Sequence, residues 1–286
     1  MKKTNIGIVG LGYVGNACYK TFKESSFLVN TFDINRHSTC NSLDQLVRKS
    51  QIIFICLPTP MKKNGQCDIS IIDKCLMNIF QYSNSTKIIV IKSTIPPGTT
   101  LKFEEKYPNL NFVFNPEFLR EKTHVEDFKN PKFIILGGNH NHCSKVKKFY
   151  KNFFPDTDYL ITKSNAAELI KYTINTFLAT KVSFANEIYS LSTALNIDYD
   201  EMIKIAQHDT RIGYSHWKVP GEDGKYGYGG SCFPKDISSL IYEMNERNIR
   251  SYIIKASEER NVKFDRTERD WEMLNGRAVS DDNLVE

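Results

Sequence analysis

The sequence predicts an α/β protein: a doubly wound, mostly parallel sheet, followed by an all-helical domain built on one long helix. Three observations predict this fold. Short β-rich runs alternate with helical patterns in the first half of the chain, the alternation stops near residue 162, and a long uninterrupted helical pattern follows. The length of 286 residues allows about two domains. We predict domains over residues 1–162 and 163–262, with a charged C-terminal tail over 263–286.

Short runs rich in Val, Ile and Phe are typical of buried strands. They lie at residues 5–10, 28–33, 51–56, 87–92, 111–115 and 133–137. Helical patterns lie between some of these runs, at 13–24 and 69–82. This order predicts right-handed βαβ crossovers and therefore parallel strand pairing.

The second half begins with one long predicted helix, residues 164–196. No Pro or Gly interrupts its apolar residues, which recur at helical spacing. A helix of about 33 residues spans roughly 50 Å, so we expect it to pack against a neighbouring domain or a partner subunit. Shorter helices are predicted at 199–208, at 234–248 and from about residue 250.

Composition excludes several classes of protein. The net charge of +5 is weak, and no Lys/Arg-rich block suggests nucleic-acid binding. No apolar run approaches the ~18–20 residues of a membrane helix, and the start does not form a convincing secretory signal. The seven cysteines include no Cys-x-x-Cys pair, which predicts neither a disulfide framework nor a metal site. A cytoplasmic protein is expected.

The first chemical motif is G-x-G-x-x-G, placed directly after a predicted strand and at the start of a helix. It reads Gly10-Leu11-Gly12-Tyr13-Val14-Gly15. Such glycines permit a tight turn and let the backbone approach a pyrophosphate at the helix N-terminus. Asp33 ends the next predicted strand, where an acid binds a ribose 2′-hydroxyl and favours NAD over NADP, although Arg36 lies close.

A second glycine-rich stretch, residues 227–236, surrounds Cys232. Pro234 suits the first position of a helix, which places Cys232 just before the helix start. The helix dipole and Lys235 both favour a thiolate there, and a thiolate can attack an aldehyde. The other six cysteines are interpreted as small buried apolar residues.

Lys171 and Asn175 are four residues apart on the long helix and project from one face. Together they can hold an oxygen that gains negative charge as a hydride departs. Taken alone, such a pair is also common on solvated helix faces.

Seven segments in order resemble the UDP-glucose/GDP-mannose dehydrogenase family, whose members are nucleotide-sugar dehydrogenases. The segments are GLGYVG at 10–15, LPTP at 57–60, KSTIPPG at 92–98, NPEFLRE at 115–121, ELIKYTIN at 168–175, RIG at 211–213 and GYGGSCFPKD at 227–236. The resemblance implies a Rossmann-like NAD-binding domain and a central dimerisation domain that carries the catalytic cysteine. It also implies a four-electron oxidation of a nucleotide sugar, with UDP-glucose converted to UDP-glucuronate and two NAD consumed.

The resemblance also implies the roles of individual residues. The implied catalytic residues are Cys232 as the nucleophile, Lys171 and Asn175 at the oxyanion, Asp236 beside them, and Thr94 and Glu117 at the water. The implied cofactor-binding residues, besides 10–15 and Asp33, are Pro58, Thr59, Ser93, Thr94, Glu121 and Lys235. The implied substrate-binding residues are Glu117, Phe118, Leu119, Arg120, Lys171, Asn175, Arg211, Tyr226, Gly227, Tyr228 and Gly229.

The resemblance further implies a homodimer formed through the long helix 164–196, with Arg211 reaching the partner's substrate. Family members usually continue into a third, Rossmann-like domain that binds the nucleotide, and a short form without it is expected here. Two alternatives stay open. One is a two-electron β-hydroxyacid dehydrogenase of similar fold, and the other is a non-catalytic NAD-binding homologue.

Overall fold

The computed structural model describes residues 5–83 and 86–280, and the chain divides into two compact units. The first unit contains the residues up to Thr59 together with Ile69–Lys171. The second contains Pro60–Asp68 together with the chain from Tyr172 onward. Within the described ranges, no helix is both long enough and apolar enough to cross a bilayer.

A seven-stranded sheet in the first unit confirms the predicted α/β class. Its strands are β1 (Ile6–Val9), β2 (Val29–Phe32), β3 (Ile52–Ile55), β4 (Lys87–Ile91), β5 (Leu110–Phe114), β6 (Phe133–Gly138) and β7 (Asp158–Thr162). They lie in the order β2-β1-β3-β4-β5-β6-β7. Every neighbouring pair is parallel except β5 and β6, which are antiparallel.

Helices cover both faces of this sheet. They are α1 (Tyr13–Phe22), α2 (Leu43–Lys49), α3 (Ser70–Tyr82), α4 (Thr99–Lys106), α5 (His124–Lys129) and α6 (His140–Tyr150). Alternate residues of one strand enter different cores, because side chains alternate across a sheet. On β3, for example, Ile53 and Ile55 join one apolar cluster, whereas Ile52 and Phe54 join the other.

The second unit is built from helices. The predicted long helix is α7 (Ser164–Ala194), whose first turns belong to the first unit, and it is followed by α8 (Tyr199–Ala206), α9 (Phe233–Asn245) and α10 (Tyr252–Arg260). Short helical turns lie at Thr210–Ile212, Asn261–Asp265 and Asp270–Met273. One apolar cluster packs α7 against α8, and Tyr228 and Ile237 belong to another.

The boundary between the units lies later than the predicted residue 162, because the first turns of α7 pack within the first unit. Ala167 is fully buried in the core of that unit. The buried carboxylate of Glu168 accepts hydrogen bonds from the backbone N–H groups of Gly98 (2.5 Å) and Thr100 (2.8 Å). These contacts assign the helix to the first unit as far as Lys171.

The predicted charged tail is packed as far as residue 280. The backbone N–H of Met61 donates to the carbonyl of Ala278 (2.8 Å), and that of Ser280 donates to the carbonyl of Met61 (2.9 Å). Trp271 and Val279 are buried. The segment packs because Trp271, Ala278 and Val279 are buried and because charged residues such as Arg266 and Asp270 are paired within the second unit. Residues 281–286, the acidic end of the predicted tail, lie outside the described residues.

Candidate active site

The loop between β1 and α1, residues 10–15, is the N-terminal glycine loop. Gly10 has a φ of +87°, and a Cβ there would lie 2.5 Å from the carbonyl oxygen of Cys56. A Cβ on Gly15 would collide with the carbonyl oxygen of Gly10. At Gly12 the space is open, with no atom beyond its chain neighbours within 4 Å of an added Cβ. The loop therefore offers open backbone at the N-terminus of α1, which fits a dinucleotide pyrophosphate.

Asp33 directly follows β2 and contacts this loop. Its Oδ2 accepts a hydrogen bond from the backbone N–H of Leu11 (2.6 Å), and its Oδ1 accepts one from Asn35 (2.8 Å). A carboxylate at this strand end, tied to the loop, suits the ribose hydroxyls of NAD. The residues present thus fit the predicted cofactor.

A buried ionic cluster lies where β4 and β5 end. The Lys92 ammonium forms an ion pair with Glu117 and donates hydrogen bonds to Asn115 Oδ1 (2.7 Å) and the Tyr150 hydroxyl (3.3 Å). The Tyr150 hydroxyl donates to the same Asn115 oxygen (2.6 Å). Burial alone would lower the pKa of Lys92, but the charge of Glu117 raises it above its ordinary value. Lys92 is therefore a permanent buried cation that fixes the Glu117 carboxylate.

Lys171 joins this cluster from α7. Its ammonium donates to the backbone carbonyl oxygen of Glu117 (2.5 Å) and lies 4.8 Å from the centre of the Phe118 ring. The side chain of Lys171 is buried. The first unit thus brings together Glu117, Phe118 and Lys171, three residues predicted to act on the substrate.

Cys232 is an exposed free cysteine that directly precedes α9. The helix begins at Phe233, one residue earlier than the sequence predicted, so Pro234 is its second residue. The predicted position of the thiol at a helix N-terminus agrees with this geometry. The other cysteines of the described residues are buried, except the half-buried Cys56.

A hydrogen-bonded cluster lies one helical turn after Cys232. The Asp236 carboxylate is almost fully buried, and it accepts hydrogen bonds from Lys235 Nζ (2.5 Å) and Asn175 Nδ2 (2.6 Å). Burial would lower the pKa of Lys235, yet the charge of Asp236 and its hydrogen bond to that carboxylate raise it. Lys235 therefore stays protonated beside the cysteine. Asn175 lies on α7, four residues after Lys171.

Most of the other predicted cofactor residues line the first unit's strand ends. Ser93 donates from its hydroxyl to the carbonyl of Leu57 (2.6 Å), which fixes the turn after β3. The turn that carries Glu121 lies against the N-terminal glycine loop, since the His124 ring bonds to the Glu121 carbonyl (2.8 Å) and lies 5.1 Å from the Tyr13 ring. Of the rest, Thr59 is buried, Thr94 and Val14 are half-buried, and Pro58 is exposed.

Two arginines predicted at the substrate are paired with acids on their own segments. Arg120 forms a two-pronged ion pair with Asp127 (2.7 and 3.1 Å), whose pKa it holds at about 2. Arg211 pairs with Asp209 (2.5 Å) and has 87% of its side chain exposed. Neither guanidinium is buried, so both can exchange these acids for an anionic ligand at modest cost.

The segment predicted to contact the substrate at residues 226–229 has mixed exposure. Tyr226 is exposed and lies 5.8 Å from the ring of Tyr189. Tyr228 is buried in the second unit's core, so its ring anchors the segment. Leu119, the remaining predicted substrate residue, is half-buried against an apolar cluster of the first unit.

Comparison with known proteins decides which family this arrangement belongs to. Residues 36–154 match the NAD binding domain of the UDP-glucose/GDP-mannose dehydrogenase family, and residues 165–263 match the central domain of the same family. The chain belongs to the UDP-glucose/GDP-mannose dehydrogenase family. The resemblance read from the sequence is confirmed, and so is NAD as the cofactor of this fold.

Three relatives illustrate the range of the family. The chain is 35% identical over 215 residues to a putative UDP-glucose 6-dehydrogenase, YtcA, of Bacillus subtilis, a match that covers 72% of this chain and 49% of that protein. A solved UDP-glucose dehydrogenase from Pyrobaculum islandicum superposes with a TM-score of 0.83 at 28% identity, covering 91% of this chain and 68% of that one. A solved GDP-mannose dehydrogenase from Pseudomonas aeruginosa superposes with a TM-score of 0.68 at 25% identity, and the match covers 88% of this chain and 67% of that one. The chain spans about half the length of the curated relatives it matches.

Two supporting residues were not identified from the sequence: Lys92, which pairs with Glu117, and Asn115, which accepts a hydrogen bond from Lys92. A signal was present, because each is a polar residue placed directly after an apolar strand. Polar residues at the carboxyl ends of neighbouring strands often meet at a functional site of an α/β sheet. In this family member they form the buried support of a predicted catalytic carboxylate.

Proposed function

We propose that this chain is an NAD-dependent dehydrogenase that oxidises the C6 alcohol of UDP-glucose to the carboxylate of UDP-glucuronate. The observation that carries the proposal is Cys232, an exposed thiol at the N-terminus of α9, followed within one turn by Lys235, whose side chain is 11% exposed, and by the buried Asp236. A dehydrogenase that stops at an aldehyde needs no thiol. Oxidation beyond the aldehyde needs a nucleophile that holds the carbonyl carbon.

In the proposed reaction the alcohol first loses a hydride from C6 and a proton from its hydroxyl. NAD held by the N-terminal glycine loop and Asp33 would supply the hydride acceptor for both oxidations, one NAD molecule for each. The Cys232 thiolate adds to the aldehyde carbon, whose oxygen takes up a proton, and the resulting thiohemiacetal loses that proton and a second hydride to become a thioester. Water then cleaves the thioester, which releases the carboxylate and returns the thiol.

Two side chains of α7 are proposed to stabilise the oxygen that becomes negative. Lys171 supplies a buried cation, and Asn175 supplies an amide N–H. Such preorganised donors are worth several kcal/mol where water is excluded. Asp236 holds the amide of Asn175 and the ammonium of Lys235 at once, so it orients one donor and anchors the cation beside the thiol.

Glu117 and Thr94 are proposed to act on water. Glu117 is held from both ends, because Lys92 pairs with its carboxylate and Lys171 binds its backbone carbonyl. A carboxylate fixed in this way can take the proton of the water that attacks the thioester. The hydroxyl of Thr94, two residues after Lys92, is proposed to orient that water.

We also propose a homodimer formed through α7, in a cytoplasmic protein. Three apolar side chains of that helix are largely exposed, Phe177 (66%), Phe184 (51%) and Leu191 (55%), and so is Leu195 (58%), directly after the helix end. The first three recur every seven residues, the repeat with which two helices pack. A second copy of the chain is the proposed occupant, with Arg211 directed to the partner's substrate. Sedimentation should show a dimer that Phe184→Glu dissociates and that Ile253→Glu, at an even more exposed apolar site elsewhere (74%), leaves intact.

Counting NADH against product tests the proposed activity. The wild type should form two NADH per UDP-glucuronate, and Cys232→Ser should lower product formation at least about 1000-fold. Cys75→Ser is the matched control, because burial raises the pKa of the Cys75 thiol to about 12 and makes it a poor nucleophile. One NADH formed per molecule of a β-hydroxyacid, with full activity in Cys232→Ser, would indicate the two-electron β-hydroxyacid dehydrogenase instead. NAD binding without turnover of UDP-glucose or GDP-mannose would indicate the non-catalytic homologue.

A further inference from the structure

Residues 264–280 lie beyond the part of the chain that matches the family's central domain, which ends at residue 263. This segment is attached to the second unit by its buried Trp271 and Val279 and by the backbone pairing of Met61. The segment is therefore packed as part of that unit. Three side chains at or near it reach the glycine-rich stretch that leads to Cys232, residues 221–232, which we name the cysteine loop.

Arg266 makes the most extensive of these contacts. Its side chain is only 4% exposed. Nε and Nη2 donate to the two carboxylate oxygens of Asp270 (2.9 and 2.7 Å), and Nη2 also donates to Asp223 Oδ2 (2.7 Å). Asp270 belongs to the segment and Asp223 to the cysteine loop, so one buried guanidinium ties the two together.

The backbone of the cysteine loop lies directly against this guanidinium. A Cβ added to Gly229 would stand 2.5 Å from Nε and 2.6 Å from Nη2 of Arg266. Any other residue at position 229 would push the loop or the arginine away. The absence of a side chain at Gly229 is thus what allows Arg266 to hold the loop at close range.

Two further contacts fix the residues next to the nucleophile. The Asn261 side chain accepts a hydrogen bond from the Tyr228 N–H (2.8 Å) and donates one to the Tyr228 carbonyl (2.9 Å). Arg277 Nη2 donates to Ser231 Oγ (3.3 Å), which lies 3.9 Å from Cys232 Sγ. Residues 228–231 are therefore held by side chains at 261, 266 and 277.

We propose that Arg266 is a positioning residue for the Cys232 nucleophile. Its guanidinium holds the cysteine loop through Asp223 and Gly229. The chain therefore enters α9 in a single orientation, which fixes the direction of the Cys232 thiol. The planar guanidinium can bond two carboxylates while lying flat on a glycine, which the ammonium of a lysine cannot do. The kinetic part of the proposal rests on the proposed function, whereas the ordering of the loop can be measured without turnover.

Hydrogen–deuterium exchange and steady-state kinetics of Arg266→Met and Arg266→Lys test this role. In Arg266→Met we expect amides 227–231 to exchange at least tenfold faster, kcat for UDP-glucose oxidation to fall at least tenfold, and KM for NAD to stay within twofold. Arg266→Lys keeps the charge but loses the two-carboxylate bridge, so it should lie between these values. Arg260→Met is the matched control, because Arg260 pairs with Asp265 (3.0 Å) instead, and it should leave all three quantities near wild type.

An Arg266→Met variant whose amides 227–231 exchange at the wild-type rate would overturn the proposal. A wild-type kcat in this variant would also overturn it, because the arginine would then have only a structural role. If Arg266→Met does not fold, an Arg266→Lys enzyme with unchanged kcat would overturn it equally. A wild type that oxidises no nucleotide sugar would refute the proposed function alone. In that case the rate of Cys232 alkylation by iodoacetamide replaces kcat, and a rate in Arg266→Met within threefold of wild type would overturn the positioning role.

Discussion

The two glycine loops of this chain need glycine for different physical reasons. In the N-terminal glycine loop the constraint is local, because the carbonyl of Gly10 occupies the space that a Cβ of Gly15 would need. In the cysteine loop the constraint at Gly229 comes from Arg266, a side chain of a different segment. A strand–turn–helix motif therefore reveals the first requirement in the sequence, and only the tertiary structure reveals the second.

The same contrast separates what each loop can do. The N-terminal glycine loop is open at Gly12, where backbone faces unfilled space next to a helix N-terminus. The cysteine loop is filled by protein side chains, and its end presents an exposed thiol. The first is suited to receive an anionic ligand, and the second is suited to hold a reactive group in place.

Among substitutions that test this comparison, we expect Gly15→Ala in the N-terminal glycine loop to have the largest effect on stability. The new Cβ meets backbone, which cannot move aside as a flexible side chain can, so we expect the first unit to lose about 1–3 kcal/mol of stability. Urea denaturation followed by far-UV circular dichroism measures the loss. Fluorescence of the two tryptophans, Trp217 and Trp271, reports the second unit as an internal control. An unchanged dichroism midpoint would show that the turn is not constrained locally.

Gly229→Ala combined with Arg266→Ala tests the tertiary contact at Gly229 in the cysteine loop. The alanine Cβ collides with the guanidinium in the wild type but enters vacated space when Arg266 is absent. The two substitutions should therefore be non-additive by about 0.5–3 kcal/mol in a double-mutant cycle read by tryptophan fluorescence. Gly15→Ala with Arg266→Ala is the control pair and should be additive within about 0.5 kcal/mol. Additivity at the first pair would remove the tertiary explanation of Gly229.

Gly12→Ala should separate ligand binding from folding. Its Cβ enters open space, so the melting temperature should not change, but it occupies the path by which a pyrophosphate reaches the backbone. We expect the Kd for NAD to rise about tenfold, or roughly 1.4 kcal/mol, in titration calorimetry. An NAD affinity equal to that of the wild type would mean that the cofactor does not approach the loop at Gly12.

The smallest expected effect is on acid stability. Hydrogen bonds from Arg266 hold the pKa of Asp270 at about 2, below its ordinary value of 3.8. Because the folded-state pKa is lowered, the stabilisation is fully present above about pH 4 and is lost as the pH falls toward 2. The urea midpoint of the wild type, read by fluorescence, should thus fall more steeply between pH 4 and 2.5 than that of Asp270→Asn. Parallel pH curves would show that the pair does not stabilise the segment.

The sheet could largely be predicted from the sequence because its inner strands are short apolar runs buried on both faces, such as Ile52–Ile55. β7 was not predicted, since Asp158–Thr162 lies at the sheet edge with no fully buried residue. The antiparallel pairing of β5 and β6 also has no local signal. Whether a segment forms a helix or a strand follows from its periodicity. Which strands lie at the sheet edge, and in which direction they pair, depends on the rest of the fold.

The candidate site was predictable only in part, for the same reason. Cys232 and the N-terminal glycine loop could be located because their function depends on neighbours in sequence. The ion pair of Lys92 with Glu117 and the contact of Arg266 with Gly229 join distant segments. The packing of the predicted charged tail as far as residue 280 could not be foreseen, because its acidic and basic residues pair with each other and with Asp223, a pattern that composition alone cannot distinguish from a solvated tail.

Trapping the thioester on Cys232 tests the proposed chemistry most directly. Wild type and Glu117→Gln are mixed with UDP-glucose and excess NAD, quenched with acid at increasing times, digested and weighed by mass spectrometry. We expect an adduct with the mass of the UDP-glucuronyl acyl group on the Cys232 peptide, removable by hydroxylamine and accumulating further in Glu117→Gln, where hydrolysis is slowed. Formation of UDP-glucuronate while the Cys232 peptide stays unmodified at every time, in both proteins, would contradict it.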